Sequence, residues 1–172
     1  VGMEDTVNST AFSPDGTRMA IGGYAPAIWD AATGQELFAL PSGQGQVASL
    51  AFSPDGTRLV SSSSTGKVKI WNVALQGELL TLVAHVDRAV AVAFSPDGMR
   101  LATAGRPNLA RVWDVGTGQN LLDLDHGTSR VTDVAFSPDG KIVATAGSAD
   151  HVAKIWDLAS GQELLTLAGH TA

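Results

Sequence analysis

Arg88, Arg106 and Arg130 are the residues whose type and placement point to binding chemistry. A guanidinium presents a planar, bidentate fork that suits carboxylate and phosphate groups. Arg88 and Arg130 each stand six positions before a recurring phenylalanine, and Thr6 and Gln46 do the same elsewhere in the chain. A repeating fold would set these four at equivalent places. The ordinary alternative is that such charges only solvate a surface. Other candidate sets fail on their context. Thr65-Gly66-Lys67 follows a serine run as in a phosphate-binding loop, but Ser61 replaces the first glycine and Val68 the Ser/Thr. The segment reads as a strand-to-strand hairpin, with no helix N-terminus to receive a phosphate. Ser42-Gly43-Gln44-Gly45-Gln46 reads as a loop between repeats, again with no helix behind it. His85, His126, His151 and His170 fall in different loops and lack the short spacings of metal ligands. Asp123 and Asp125 share one face of a strand, and charges on an exposed outer edge ordinarily discourage strand pairing. No GxSxG nucleophile turn is present, and no Ser-His-Asp set has supporting spacing. The chain reads as non-enzymatic, with no cofactor and no metal.

The elements that must position these residues follow from a repeat. FSPDG occurs four times, beginning at Phe12, Phe52, Phe94 and Phe136, a period of 40 to 42 residues. A tryptophan recurs in the same phase at Trp29, Trp71, Trp113 and Trp156, followed by Asp, Asn, Asp and Asp. A unit of this length cannot bury a core alone, so the copies must stack on one another. The third copy is the clearest. Ala91-Val92-Ala93-Phe94 suits an inner strand covered on both faces, and Ser-Pro-Asp-Gly then turns the chain. A second strand follows at Leu101 to Ala104, a third at Ala110 to Trp113 and an outer one at Leu121 to Leu124. In the first copy the inner strand begins near Val7. No segment has sustained helical periodicity, which leaves four antiparallel strands per unit.

Composition agrees. The chain has 172 residues, 44% of them hydrophobic and 16% charged, so it belongs with globular proteins. A net charge of −6 argues against nucleic acid and anionic membrane as partners. Seven acids lie at fixed repeat positions, namely Asp15, Asp55, Asp97 and Asp139 in the turns and Asp30, Asp114 and Asp157 after tryptophan. Those seven read as structural, which leaves the rest of the surface closer to neutral. There is no cysteine, no apolar run long enough to span a bilayer and no signal-peptide pattern at the start. These features predict a cytoplasmic protein.

The FSPDG turn, the KIWD and RVWD third strands, TGQELLTL and the closing Gly169-His170 resemble the WD-repeat β-propeller family over essentially the whole chain. The resemblance implies an all-β fold of four four-stranded blades, forming an open arc or half of a two-chain ring. The blades fall at about residues 1–41, 42–83, 84–125 and 126–168, with 169–172 starting a further repeat. It also implies a buried hydrogen-bond set linking a loop histidine, a second-strand Ser or Thr, a turn Asp and the third-strand Trp. Blade four offers His126, Thr145, Asp150 and Trp156, although His126 precedes its glycine instead of following it. Blade three offers His85, Thr103 and Trp113, with Arg106-Pro107-Asn108 where the acid is expected. Blade two keeps Ser61 and Trp71, and blade one little beyond Trp29, with Met3 at the histidine position.

By the same resemblance, partners dock on the face that carries the loop before the inner strand and the hairpin between strands two and three. Thr6, Gln46, Arg88, Arg106 and Arg130 belong to that face. The implied role is a protein or peptide scaffold, such as the sensor or assembly module of a bacterial signalling protein. Four blades leave two blade faces uncovered and no spare strand to lace a ring shut. The expectation is a homo-oligomer or missing blades from a longer parent chain.

Overall fold

The computed structural model describes residues 6–41 and 45–169; Met3, His170 and Ser42-Gly43-Gln44 lie outside them. Sixteen strands form, and no helix occurs among the described residues. Blade one holds β1 (Ser9–Phe12), β2 (Arg18–Gly22), β3 (Ala27–Asp30) and β4 (Glu36–Ala39). Blade two holds β5 (Val47–Phe52), β6 (Arg58–Ser63), β7 (Lys67–Asn72) and β8 (Gly77–Val83). Blade three holds β9 (Ala89–Phe94), β10 (Arg100–Gly105), β11 (Leu109–Asp114) and β12 (Asn120–Asp125). Blade four holds β13 (Val131–Phe136), β14 (Ile142–Gly147), β15 (Val152–Asp157) and β16 (Glu163–Ala168). Each blade is a four-stranded sheet whose spatial order is the chain order. The first strand is shorter than expected: Asn8 precedes β1, its amide bonding Gly22 O at 2.9 Å and its side chain Val47 O at 3.2 Å.

The FSPDG turn is held by a side-chain web in which serine is the hub. Ser13 Oγ donates to Asp15 Oδ1 at 2.6 Å and accepts the Arg18 amide at 2.9 Å, while Asp15 Oδ1 also accepts the Thr17 amide at 3.0 Å. Ser53, Ser95 and Ser137 do the same with Asp55, Asp97 and Asp139. The fifth residue needs a left-handed backbone, and Gly16, Gly56, Gly98 and Gly140 supply it with φ of 67–71°. The second recurring turn is anchored by the residue after tryptophan. Asp30, Asp114 and Asp157 accept the amides of Thr33, Thr117 and Ser160 at 2.7–2.8 Å, and Asn72 accepts that of Leu75 at 2.7 Å.

The core lies between the blades. Ile28, Leu40, Val47, Leu59 and Trp71 close the first interface; Val60, Ile70, Leu82, Leu101 and Trp113 the second; Val112, Leu124, Val131, Val143 and Trp156 the third. Each of these tryptophans therefore packs on the preceding blade.

Inside the blades the tryptophans bond to the second strand. Trp71 Nε1 donates to Ser61 Oγ at 2.9 Å, Trp113 Nε1 to Thr103 Oγ1 at 3.0 Å and Trp156 Nε1 to Thr145 Oγ1 at 2.8 Å. In blade three the chain continues, because His85 Nε2 lies 3.0 Å from Thr103 Oγ1. The indole can only donate, so Thr103 accepts from Trp113, and the tautomer of His85 sets which of Thr103 and His85 donates to the other. In blade four the candidates divide into two pairs. Trp156 and Thr145 bond, whereas the ring nitrogens of buried His126 make no hydrogen bond among the described residues and Nδ1 stands 3.5 Å from Asp150 Oδ2. Ser129 Oγ occupies the amides of Ala149 and Asp150 instead, at 3.0 and 3.4 Å. In blade one Ile21 stands where the others have Ser or Thr, and Trp29 Nε1 is buried without a partner among the described residues.

Two predictions follow from these bonds. Replacing Thr103 by Val strips both Trp113 and His85 of their partner and should lower stability by about 2–3 kcal/mol in urea titration, whereas Ile21→Thr should raise it by ~0.5–1.5 kcal/mol. Stability should also fall in two stages on acidification. Burial, with the Arg111 guanidinium second, pushes His85 from 6.5 down to about 4. Unfolded chains gain this proton below about 6.5 and folded ones refuse it until about 4, so that contribution is complete above pH 6.5 and drains as pH falls to 4. Hydrogen bonds from Ser13 and Thr17 hold Asp15 at about 2 against an ordinary 3.8, and Asp55, Asp97 and Asp139 are lowered by their serines in the same way. Their contribution is present above pH 3.8 and is lost as pH falls towards 2. In denaturation midpoints measured from pH 7.5 to about 2, His85→Gln should remove the upper stage and leave the lower.

Candidate functional site

The antiparallel meander places the FSPDG and post-tryptophan turns at one rim, and the inter-blade loops with the β2–β3-type hairpins at the other. On this second rim one backbone bond recurs. The carbonyls of Gln46, Arg88 and Arg130 accept the amides of Ser64, Arg106 and Ser148 at 2.9–3.0 Å. A register shift lies close by in each of these three blades, between Val47 and Ser49, between Ala104 and Gly105 on the paired strand, and between Val131 and Asp133. Such bulges re-aim the chain at a sheet's end. They fix Gln46, Arg88 and Arg130 in corresponding places and leave both arginine side chains exposed.

The five face candidates separate into two places. Gln46 Nε2 donates to Thr6 Oγ1 at 2.9 Å, joining the rims of blades one and two. Arg106 and Arg130 meet across blades three and four, where they line a concavity of about 360 Å³ with Val86, Asp87 and Pro107. Arg88 is exposed but does not line it. Arg106 Nη1 is paired with Asp87 Oδ2 at 3.2 Å, so its charge is partly answered within the protein. Arg130 is exposed and makes no ion pair with a described residue. Val86 is 88% exposed at the same rim. The concavity thus combines one guanidinium with no ion pair among the described residues, one half-neutralised guanidinium and an apolar wall of Val86 and Pro107. Val86, Pro107 and Asp87 were not singled out from sequence. The signal at Val86 is an apolar residue in a loop next to a structural histidine, which becomes informative only when its exposure is known.

Gly105 and Gly147 explain how the adjacent histidines fit. A Cβ at Gly105 would come within 2.3 Å of the His85 ring and 2.4 Å of Arg88 O, and one at Gly147 within 2.3 Å of Asp150 Oδ1 and 2.7 Å of the His126 ring. The loop that carries Arg88 is therefore seated against β10 through a missing side chain.

The remaining candidates are engaged in structure. Gly66 has φ of 78° in the β6–β7 hairpin, and its carbonyl accepts the amides of Ala84 and His85 at 3.1 and 3.0 Å. Asp123 is paired with Arg111 at 3.0 Å, and Asp125 accepts from Asn108 Nδ2 at 2.9 Å and the Gly127 amide at 2.8 Å. A second concavity, of about 330 Å³ at the opposite rim, is lined by Asp55, Asp97 and Asp114, all already bonded within their turns. Among the described residues no cluster of three or more His, Cys, Asp or Glu is arranged to hold a metal ion. No helix of the described residues is long and apolar enough to cross a membrane.

A family model for the WD domain, G-beta repeat, matches residues 34–72, 76–114 and 118–157, more than half of the chain. A search of curated proteins gave no match. Each matched unit runs from the outer strand of one blade to the third strand of the next, so every unit bridges one of the three blade interfaces.

The Asp87–Arg106 pair is exposed on both sides. In a double-mutant cycle with Asp87→Ala and Arg106→Ala, its coupling energy should be below about 1 kcal/mol and should shrink further in high salt.

Proposed function

The chain belongs to the WD domain, G-beta repeat family, and on that premise we propose that it is a non-enzymatic scaffold whose blade-three and blade-four rim captures an extended acidic peptide segment of a protein partner. WD repeats build protein-interaction scaffolds, and function on such rigid sheets resides in the loops at their rims. The observation that carries the reading is the concavity of Val86, Asp87, Arg106, Pro107 and Arg130. Arg130 offers an unpaired bidentate fork to a carboxylate, Val86 and Pro107 offer apolar contact to the neighbouring residue, and Asp87 disfavours a second acid placed against Arg106. Recognition by loop side chains on a fixed frame suits a sensor or assembly module within a larger cytoplasmic signalling protein.

The test is a synthetic peptide array of acidic residues flanked by apolar ones, probed with the purified chain. Acid-plus-apolar peptides should be retained over their Asp→Asn and Glu→Gln counterparts, and Arg130→Glu should weaken binding at least tenfold while leaving the melting temperature unchanged. Retention that ignores Arg130→Glu, or no preference for acids, would remove this rim from consideration.

A further inference from the structure

The outer edge of blade two departs from the repeat in one direction, towards apolar and uncharged side chains. β8 ends its sheet, so one row of its backbone amides and carbonyls meets no other strand among the described residues. Strand edges are ordinarily guarded by shortness or by charge. β4 is four residues long, and β12 carries Asp123 and Asp125. β8 is seven residues long and has neither guard at the matching places. Lys69 stands opposite Thr81 as Arg111 stands opposite Asp123, and Lys67 stands opposite Val83 as Leu109 stands opposite Asp125. β16 has threonine at the first of these places, Thr166, but only Ala168 at the second.

The turn that leads into β8 changes in the same sense. In the other blades Thr33, Thr117 and Ser160 donate their hydroxyls to Asp30, Asp114 and Asp157. Blade two has Leu75 there, 78% exposed, and Gln76 takes the left-handed φ of 53° that Gly34, Gly118 and Gly161 supply elsewhere. Val83 is 75% exposed and Leu79 50% exposed. Apolar side chains thus line an open edge roughly 20 Å long, which marks a contact surface. Its charges are uneven. Glu78 is the one carboxylate of β8, and both its oxygens are engaged, Oε2 by Lys69 Nζ at 2.6 Å and Oε1 by the Thr81 hydroxyl. Lys67, beside Val83, is exposed and makes no ion pair with a described residue. The Val83 end therefore suits an incoming acid, which a second copy of β8 does not bring.

From this we infer that β8 is a docking edge for an extended segment of a protein partner, which adds to blade two as a fifth strand, with apolar residues beside Leu79 and Val83 and one acidic residue towards Lys67. A row of amides and carbonyls at strand spacing is complementary to another strand. In such additions the main-chain bonds supply affinity and alternate side chains supply choice. Neighbouring strands lie about 4.8 Å apart, which puts the added strand roughly 10 Å from β7 and within reach of the four-carbon lysine stem meeting a glutamate. The inference is independent of the rim reading, since it uses neither Arg106 nor Arg130 nor the concavity between them.

The probe is a fluorescently labelled synthetic peptide of alternating valine and threonine with one glutamate. One control carries lysine for glutamate, and another has alternate backbone amides N-methylated, which removes donors and leaves the side chains. By fluorescence anisotropy the glutamate peptide should bind, and each control should bind at least about tenfold more weakly, a loss of ~1.4 kcal/mol. Thr81→Asp combined with Val83→Asp, the acids that β12 carries at the same places, should abolish binding without moving the melting temperature. Should that variant unfold by circular dichroism, Lys67→Glu at an exposed side chain tests the same edge, and it should reverse the preference between the glutamate and lysine peptides. Arg130→Glu should leave binding unchanged. No binding, equal binding of the N-methylated peptide, binding that survives the two aspartates, or binding lost with Arg130→Glu would overturn the inference. So would a mass of twice the 17.7 kDa chain in light scattering that the two aspartates return to one chain, since the edge would then belong to a second copy.

Discussion

Each four-stranded sheet has two apolar faces and no element of its own to cover them, so every blade depends on its neighbours. The three interfaces are built from the same positions: an isoleucine or valine before the third-strand tryptophan, a leucine in the outer strand, and opposite them a small or branched residue in the inner strand and the tryptophan of the next blade. Burial of these residues is non-directional and scales with area. Such packing alone would let the sheets slide. Directional bonds within each blade hold the contacting side chain in place, because each tryptophan is tied by its indole nitrogen to the second strand of its own blade in blades two, three and four. The matched repeat units run across the interfaces rather than within a blade, so the chain itself laces each pair of neighbours.

The turns at one rim make the sheets reproducible. A serine, an aspartate and a glycine with φ near 70° form a closed set in all four copies. The aspartates are held ionised by hydroxyl and amide donors rather than by distant charges, which is why the carboxylates of the second concavity belong to structure. The opposite rim has no such common web. Its recurring backbone bond fixes where a loop residue sits and leaves the side chain free to vary, from Gln46 to Arg88 to Arg130. The division between a fixed rim and a variable rim is what makes the blade-three and blade-four concavity the place for recognition.

Departures from the repeat are concentrated in blade one. Ile21 in place of Ser or Thr leaves the Trp29 nitrogen without an acceptor among the described residues. Blade four departs differently. Its histidine precedes the glycine, the ring turns towards Asp150, and Ser129 takes the amides of the hairpin. Local sequence order thus decides which member of a buried set reaches which partner, even when every residue type is present.

How much was legible in advance follows from the range of each interaction. The FSPDG period, the turn chemistry and the period-2 patterns are local, and from them the all-β fold, four strands per unit and the WD-repeat family were readable. Trp156 with Thr145, and Trp113 with Thr103, lie on neighbouring strands whose register the repeat itself implies, and His85 lies in the loop before β9. The separation of the five rim candidates was not legible. Pairing of Arg106 with Asp87, 19 residues apart, and of Gln46 with Thr6, 40 residues apart, and the exposure of Val86 depend on how loop side chains are oriented at the rim. The sequence by itself determined the blade, because a blade is made of hydrogen bonds and turns between near neighbours. The tertiary structure alone decided how the rim candidates pair, because side-chain orientation at a rim is set by how one blade stacks on the next.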